Sequence, residues 1–149
     1  MPTIYLDACC LNRPFDDQSQ PRVHLESEAI LILLARVKTN EWEWLSSTVL
    51  DLEINQITDP ARKNRIKLLM TAVHRVVLVQ TIEAQRGKEL SAMDIPAIDA
   101  LHIACAESGG ADVLLTTDDR LLRQTARLAK QLRVRVENPL TWVKEQSEK

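Results

Sequence analysis

Short apolar segments alternate with longer segments of helical periodicity along the chain, and this alternation constrains the fold more than any other feature. The apolar segments lie at residues 3–6, 42–46, 76–80, 112–116 and 134–136. The helical segments lie at residues 24–38, 49–57, 61–73, 81–91, 96–108, 119–132 and 140–146. Strands that alternate with helices are typical of a parallel sheet covered by helices. We therefore predict a three-layer α/β domain, with a polar loop over residues 12–22.

Size and composition narrow the class of protein. The chain has 149 residues, enough for one domain with a substantial core, and we expect residues 1–149 to form a single domain. Aromatic residues make up 3% of the chain, which disfavours a module that stacks single-stranded bases on aromatic rings. The longest apolar run, residues 29–35, is too short to cross a bilayer, so no membrane partner is expected.

The N-terminus and the cysteines favour a cytoplasmic protein. The first residues, MPTIYLDACC, lack the basic and apolar regions of a signal peptide. Cys9, Cys10 and Cys105 form no Cys-x-x-Cys pair, which predicts reduced thiols. The formal net charge of −2 disfavours a nucleic-acid partner at first, but it becomes positive once four carboxylates are neutralised by bound cations. Net charge therefore neither supports nor excludes a protein that binds nucleic acid.

Two aspartates end predicted strands. Asp7 follows the first strand in IYLDACC, and Asp118 follows the fourth in VLLTTDDRLL. Ligands of open parallel sheets bind outside the carboxyl ends of the strands, so both positions favour a functional site. Each aspartate is equally consistent with a cap of the helix that follows it.

Two further acids lie within helical segments. Glu53 shares the apolar stripe of Val49 and Ile57, where an unpaired buried charge would be costly. Asp99 lies in the almost wholly apolar helix IPAIDALHIACA, where aspartate is a poor helix residue and is seldom buried without a partner. His102, three positions later, is the expected hydrogen-bond partner of Asp99 if the role of Asp99 is structural.

Asp7, Glu53, Asp99 and Asp118, hereafter the four acids, point jointly to a metal site. Clustered carboxylates repel one another unless hard cations bind among them, and Mg²⁺ and Mn²⁺ prefer oxygen ligands. Such cations activate water and stabilise the charge that develops on a phosphate during in-line displacement. An all-acid site therefore fits phosphodiester hydrolysis better than acyl transfer.

The segments that carry these acids, LDACCLN, STVLDLEI, DALHIACA and LLTTDDRLL, resemble the PIN-domain family over residues 3–143. The resemblance implies an α/β/α domain with five parallel strands ordered 3-2-1-4-5. It implies Mg²⁺ or Mn²⁺ held by the four acids and endonucleolytic cleavage of RNA. Many small bacterial members are VapC-type toxins of type II toxin–antitoxin pairs, which implies a cognate antitoxin and a homodimer as partners.

The resemblance also assigns supporting residues. Thr116 takes the position of a hydroxyl that orients a ligand or water. Cys9 and Ala8 depart from the Asn and hydroxyl residue found there in many PIN domains, and Asn12 is a candidate to contact substrate or metal-bound water instead. Asp119 is interpreted as the N-cap of its helix, with an accessory role at the rim of the site.

Basic residues near the acids are the candidate phosphate contacts, since an RNA backbone needs cations along it. Arg120 and Arg123 lie on the helix that begins beside Asp118, and Arg13 lies in the loop after Asp7. We predict that these three arginines bind substrate.

Three alternatives stay open at this point. The first is a phosphotransfer domain with Asp7 as the phosphorylated residue, although Cys9 occupies the place of the second aspartate that haloacid-dehalogenase-type phosphatases need. The second is a non-catalytic PIN-like module that binds RNA or protein. The third is a PIN-domain nuclease in RNA processing outside a toxin–antitoxin pair.

Overall fold

The computed structural model describes residues 1–148 and contains a five-stranded parallel sheet. Its strands are β1 (Thr3–Leu6), β2 (Glu43–Ser47), β3 (Arg75–Val77), β4 (Val113–Leu115) and β5 (Arg135–Glu137). Their order across the sheet is β3-β2-β1-β4-β5. The predicted α/β class, parallel sheet and strand order are confirmed, whereas residue 149, the end of the predicted domain, lies outside the described residues.

The connections between the strands are helical. The helices are α1 (Ala8–Asn12), α2 (Pro21–Lys38), α3 (Thr48–Asn55), α4 (Pro60–Leu69), α5 (Thr81–Ser91), α6 (Ala97–Ser108), α7 (Asp119–Arg127) and α8 (Pro139–Ser147). Short 3₁₀ turns follow α1, α4 and α7, at Arg13–Phe15, Met70–Ala72 and Ala129–Gln131. In residues 1–148, no helix combines the length and the apolar character that crossing a bilayer demands.

Two apolar cores lie on opposite faces of the sheet. On one face Ile4 and Leu6 of β1 pack among residues of α1, α2, α4 and α8, and on the other face Tyr5 packs among residues of α5, α6 and α7. Alternating residues of β1 thus serve both cores, as the period of two in a strand requires. The result is the three-layer arrangement that the sequence predicts.

Three central strands bring the site residues to one edge of the sheet. β1 lies between β2 and β4, and the backbone N–H of Asp7 donates to the Leu115 carbonyl at 3.2 Å. Because all three strands run in the same direction, Asp7, Ser47 and Thr116 emerge at the same edge. The chain therefore gathers positions that are far apart in sequence.

Several predicted boundaries differ from the structure. The loop expected over residues 12–22 contains the turn Arg13–Phe15, and α2 begins at Pro21 rather than at residue 24. Just before that loop Asp7 caps the short helix α1, which the apolar pattern did not indicate. The helix expected over residues 119–132 ends at Arg127, and the one expected over residues 61–73 ends at Leu69. In both cases the last predicted turn is 3₁₀ rather than α-helical, a common way for helices to end.

Candidate active site

One pocket at the carboxyl edge of the sheet is lined by all of the four acids. Its other lining residues are Ala8, Cys9 and His102. The acids come from four elements, since Asp7 follows β1, Glu53 lies on α3, Asp99 lies on α6 and Asp118 follows β4. The structure therefore brings together side chains that lie up to 111 positions apart in the sequence, from residue 7 to residue 118.

Asp7 is a helix cap and a pocket residue at once. It is 6% exposed, and its Oδ1 accepts the Cys10 backbone N–H at 3.1 Å and the Cys9 thiol at 2.7 Å. Burial raises the pKa of its carboxyl well above the ordinary value. The cap engages Oδ1, and a side-chain hydrogen bond with Thr116 also acts on this carboxyl and lowers its pKa. Capping uses one of the two oxygens, so capping and ligand binding are compatible in this residue.

Asp118 combines the same two features. Its Oδ1 accepts the backbone N–H groups of Arg120 at 3.0 Å and Leu121 at 3.3 Å, which caps α7. Its own backbone N–H donates to Thr116 Oγ1 at 3.1 Å, and the Thr116 side chain is fully buried. Thr116 therefore fixes the turn that carries Asp118 into the pocket.

Glu53 pairs with His102. The Glu53 Oε1 atom is in close contact with His102 Nε2, and His102 is 3% exposed. The predicted structural partnership of His102 with Asp99 is wrong, because the histidine ring lies between α6 and α3 and reaches the acid of the neighbouring helix instead.

Asp99 is the acid without a hydrogen-bond partner. Within residues 1–148 its carboxylate makes no hydrogen bond or ion pair, although it is partly buried. Its pKa is raised to about 6, first by burial and then by the negative charges of Asp7 and Asp118, while the electrostatic interaction with His102 acts in the opposite direction. A carboxylate held among other carboxylates, without a donor of its own, is the chemical environment that a cation relieves.

The donor set fits a hard divalent cation. Four carboxylates supply oxygen ligands of the kind that Mg²⁺ and Mn²⁺ prefer. Cys9 adds a thiol beside Asp7, and it lies 3.4 Å from Thr116 Oγ1. The Cys10 thiol is fully buried and donates to the Leu115 carbonyl at 3.3 Å. Cys10 does not line the pocket, although its sulfur lies within 4.8 Å of an Asp7 carboxylate oxygen and of the Cys9 sulfur.

Two of the predicted supporting residues have other contacts. Asp119 is not the N-cap of α7, since Asp118 fills that position, and it forms an ion pair with Arg22 instead. The hydrogen bond from Arg22 lowers the pKa of the Asp119 carboxyl. The Asn12 amide donates to the Ala8 carbonyl at 2.9 Å and accepts from Arg62 at 3.2 Å, so its side chain stabilises α1.

The predicted substrate-binding arginines fall into two groups. The Arg120 and Arg123 side chains are exposed on α7, beside the rim that Asp118 forms. Arg13 Nε donates to Glu26 Oε1 at 2.9 Å and lies 3.4 Å from Asp16 through Nη1. Its guanidinium is therefore held by two carboxylates, and its role toward RNA stays a prediction.

Sequence reasoning did not identify Glu26 as the partner of two arginines near the site, or His102 as the partner of Glu53. Glu26 is 1% exposed and binds Arg13, Arg22 at 3.3 Å and Asn138 at 2.6 Å. A glutamate on the buried side of the α2 pattern was the available signal for this role. The pairing of His102 with Glu53, 49 positions apart, left no signal in the sequence.

Comparisons with known proteins give a consistent family and fold. A family model described as the PIN domain matches residues 4–128. No curated protein is significantly similar to the chain.

Three solved bacterial structures share the fold. FitAcB from Neisseria gonorrhoeae has a TM-score of 0.60 at 16% identity, with 91% of this chain and 97% of that chain covered. VapBC-1 from nontypeable Haemophilus influenzae has a TM-score of 0.58 at 15% identity, covering 92% and 98%. VapBC2 from Rickettsia felis, in a structure with a DNA fragment from the promoter of these proteins, has a TM-score of 0.57 at 12% identity, with 91% of this chain and 98% of that chain covered. At these identities the likeness establishes the fold alone.

Proposed function

The chain belongs to the PIN-domain family, and we propose that it is a divalent-cation-dependent endoribonuclease whose four acids hold Mg²⁺ or Mn²⁺. The observation that carries this proposal is the convergence of four carboxylates from four elements in one pocket, where repulsion from Asp7 and Asp118 acts on Asp99. Repulsion among the four carboxylates destabilises the protein when no cation is bound, and a bound cation offsets that cost.

The protein residues prepare the site for this chemistry. A bound divalent cation supplies a Lewis acid that makes water nucleophilic near neutral pH and neutralises charge on the phosphate. The caps of α1 and α7 fix Asp7 and Asp118, and His102 fixes Glu53. Burial of Asp7 excludes water from its carboxyl and raises its pKa, so a cation that binds there would take the place of a proton.

The rim of the pocket is proposed to receive the RNA backbone. Arg120 and Arg123 are exposed cations on α7, which begins at the pocket, and phosphate binding requires such positions. Arg13 is a third candidate, on condition that phosphate competes with Glu26 for its guanidinium. Thr116 is proposed to support Asp118, whereas Asp119 and Asn12 act through the structure around the pocket.

We further propose that the protein is the toxin of a type II toxin–antitoxin pair, acting in the cytoplasm as a single-domain homodimer. The fold likeness to FitAcB and to two VapBC proteins supports this proposal. Exposed apolar side chains provide surfaces for a protein partner. Leu25, Leu31 and Ile32 are 50%, 47% and 43% exposed on α2, and Ile82 and Ile98 are 75% and 48% exposed on α5 and α6.

Digestion of RNA with and without Mg²⁺ tests the nuclease proposal. The wild-type protein is expected to cleave RNA with Mg²⁺ and to lose that activity in a chelator, and Asp7→Asn is expected to be inactive in both. Cleavage that survives chelation or the Asp7→Asn substitution would contradict the proposal.

Two alternatives predict other outcomes. A non-catalytic PIN-like module would leave RNA intact and would give no heat of binding when titrated with Mn²⁺. An RNA-processing nuclease outside a toxin–antitoxin pair would cleave RNA, yet its expression in a bacterial host would not arrest growth. A growth arrest that a neighbouring small protein reverses supports the toxin.

A further inference from the structure

A chain of hydrogen bonds runs from the buried end of β2 to Glu53. The Leu50 backbone N–H donates to Ser47 Oγ at 3.2 Å, and Ser47 Oγ lies 2.6 Å from the Tyr5 hydroxyl. The Tyr5 hydroxyl lies 2.5 Å from His102 Nδ1, and His102 Nε2 contacts Glu53 Oε1. Tyr5 and Ser47 are fully buried, so water does not compete for these contacts.

The proton positions along this chain follow from the groups present. An ionised carboxylate can only accept, so His102 Nε2 must carry a proton toward Glu53. When the imidazole is neutral, Nδ1 can only accept, and the Tyr5 hydroxyl is the donor that faces it. Tyr5 oxygen then accepts from the Ser47 hydroxyl, whose own oxygen already accepts from Leu50. Each donor therefore has one acceptor and each acceptor is filled.

His102 Nε2 must also donate to Glu53 when the imidazole ring is protonated. Both ring nitrogens then donate. The Tyr5 oxygen accepts from Nδ1, the Tyr5 hydroxyl donates a hydrogen bond to Ser47 Oγ, and Nε2 still donates to Glu53. The contact that changes is the one with Tyr5, whereas the bond to Glu53 keeps its direction. Tyr5 thus orients the ring in either state, and Nε2 presents a donor to the pocket.

We infer that His102, held by Tyr5 and Ser47, is a positioning residue that fixes the Glu53 carboxylate for cation binding. The inference rests on the proposed function and assigns a role to residues outside the four acids. Donors that orient a metal-binding carboxylate raise its affinity by restricting its rotation. Glu53 depends on a side chain for such support, because it is 30% exposed on the short helix α3, whereas Asp7 and Asp118 are held by backbone caps.

The test compares His102 and Tyr5 variants by Mn²⁺ affinity, measured by the electron paramagnetic resonance signal of free Mn²⁺. His102→Leu, which removes the donor, is expected to weaken Mn²⁺ binding by about 10-fold to 100-fold, the usual effect of losing such a partner. His102→Gln keeps an N–H that can reach Glu53 and is expected to recover most of the affinity. Tyr5→Phe keeps the buried ring and removes the hydroxyl, so an intermediate loss is expected.

His74→Leu is the matched control. His74 also uses both ring nitrogens, accepting the Trp44 backbone N–H at 3.0 Å and contacting Asn40 at 3.2 Å, but it lies outside the pocket. Its loss should leave Mn²⁺ affinity unchanged. Equal affinity in wild type and His102→Leu would overturn the inference while leaving the cation site intact, whereas absence of Mn²⁺ binding in the wild type would overturn the proposed function together with it.

Nitrogen NMR of the histidine side chains tests the hydrogen-bond chain without metal. We expect a proton on Nε2 of His102 in the wild type and in Tyr5→Phe, with greater ring mobility in the variant. A His102 ring protonated on Nδ1 alone would contradict the chain, even if His102→Leu proves too unstable to titrate.

Discussion

Arg22 on α2 and Asp119 at the first position of α7 form a bidentate ion pair, with Nη1–Oδ2 at 2.6 Å and Nη2–Oδ1 at 2.8 Å. Arg22 Nη2 also donates to the Thr117 carbonyl at 3.1 Å, one residue before Asp118. Its Nε donates to the buried Glu26 at 3.3 Å. Arg22 therefore joins α2 to the turn that delivers Asp118 to the pocket.

The neighbouring aspartates 118 and 119 should respond differently to the same change. Asp118→Asn is expected to abolish cation-dependent cleavage, because it removes a charge from the pocket. Asp119→Asn is expected to retain cleavage and to change stability little, since the pair with Arg22 is half exposed and therefore screened by solvent. Cleavage rates and urea unfolding of both variants check this. Equal loss of activity in both would mean that Asp119 belongs to the site itself.

The pKa of Asp99 predicts how stability varies with pH in the absence of divalent cations. The folded value is about 6 and the unfolded value 3.8, so between these pH values the folded protein binds more protons than the unfolded chain. By linkage, the contribution of Asp99 to the free energy of unfolding falls as pH rises from about 4 to about 6. Asp99→Asn should flatten this dependence and be more stable than wild type at pH 7.

Denaturant unfolding in a chelator at several pH values measures this effect. Asp94→Asn is the control, because Asp94 is exposed, lies outside the pocket and has a positive φ of 70° that asparagine tolerates. It should keep the wild-type slope. A slope that is the same in wild type and in Asp99→Asn would show that Asp99 is not the group that titrates.

Gly109, the residue that follows α6, packs closely against side chains of the neighbouring strands. A Cβ on Gly109 would overlap the Leu45 Cδ2 methyl and lie 2.9 Å from Val77 Cγ2, so Gly109→Ala is expected to cost about 1–3 kcal/mol by overpacking.

Substitution of Gly110 is expected to destabilise the protein for a different reason. It has open space but a φ of +76°, so Gly110→Ala should cost about 1–2 kcal/mol through backbone strain. Relief is expected only for the first variant when Leu45→Ala makes room, as a double-mutant cycle would report. Relief of both, or of neither, would contradict this assignment.

The exposed arginines of α7 should govern the salt dependence of RNA binding. Arg123→Gln and Arg120→Gln are expected to lower the dependence of log Kd on log salt concentration by about 0.7 each, the value for one phosphate contact on a single strand. Filter binding with Asp7→Asn, which cannot cleave, isolates affinity from turnover. Arg127→Gln, at the far end of α7, is the control and should leave the slope unchanged.

The sequence could predict the site residues that are placed by local patterns, but not those that are placed by contacts formed only in the folded chain. Asp7 and Asp118 were found because both follow apolar strands, and the ends of parallel strands share an edge of the sheet. Whether Asp118 or Asp119 caps α7 depends on a shift of one residue, which periodicity does not resolve.

Long-range contacts set the remaining limits. Arg13 was predicted from its position after Asp7, but its guanidinium pairs with Glu26, which the helical pattern of α2 carries to the same place. The contact of His102 with Glu53 joins two helices that pack only in the folded chain. Such partners are set by packing across the sheet rather than by local spacing.

Anomalous diffraction from crystals soaked in Mn²⁺ tests the central claim most directly. We predict a manganese peak among the carboxylates of the four acids, in direct coordination with Asp99 and Asp7, and its loss in crystals of Asp99→Asn. A peak elsewhere, or no peak at an Mn²⁺ concentration that supports RNA cleavage, would contradict the claim that these acids share a cation.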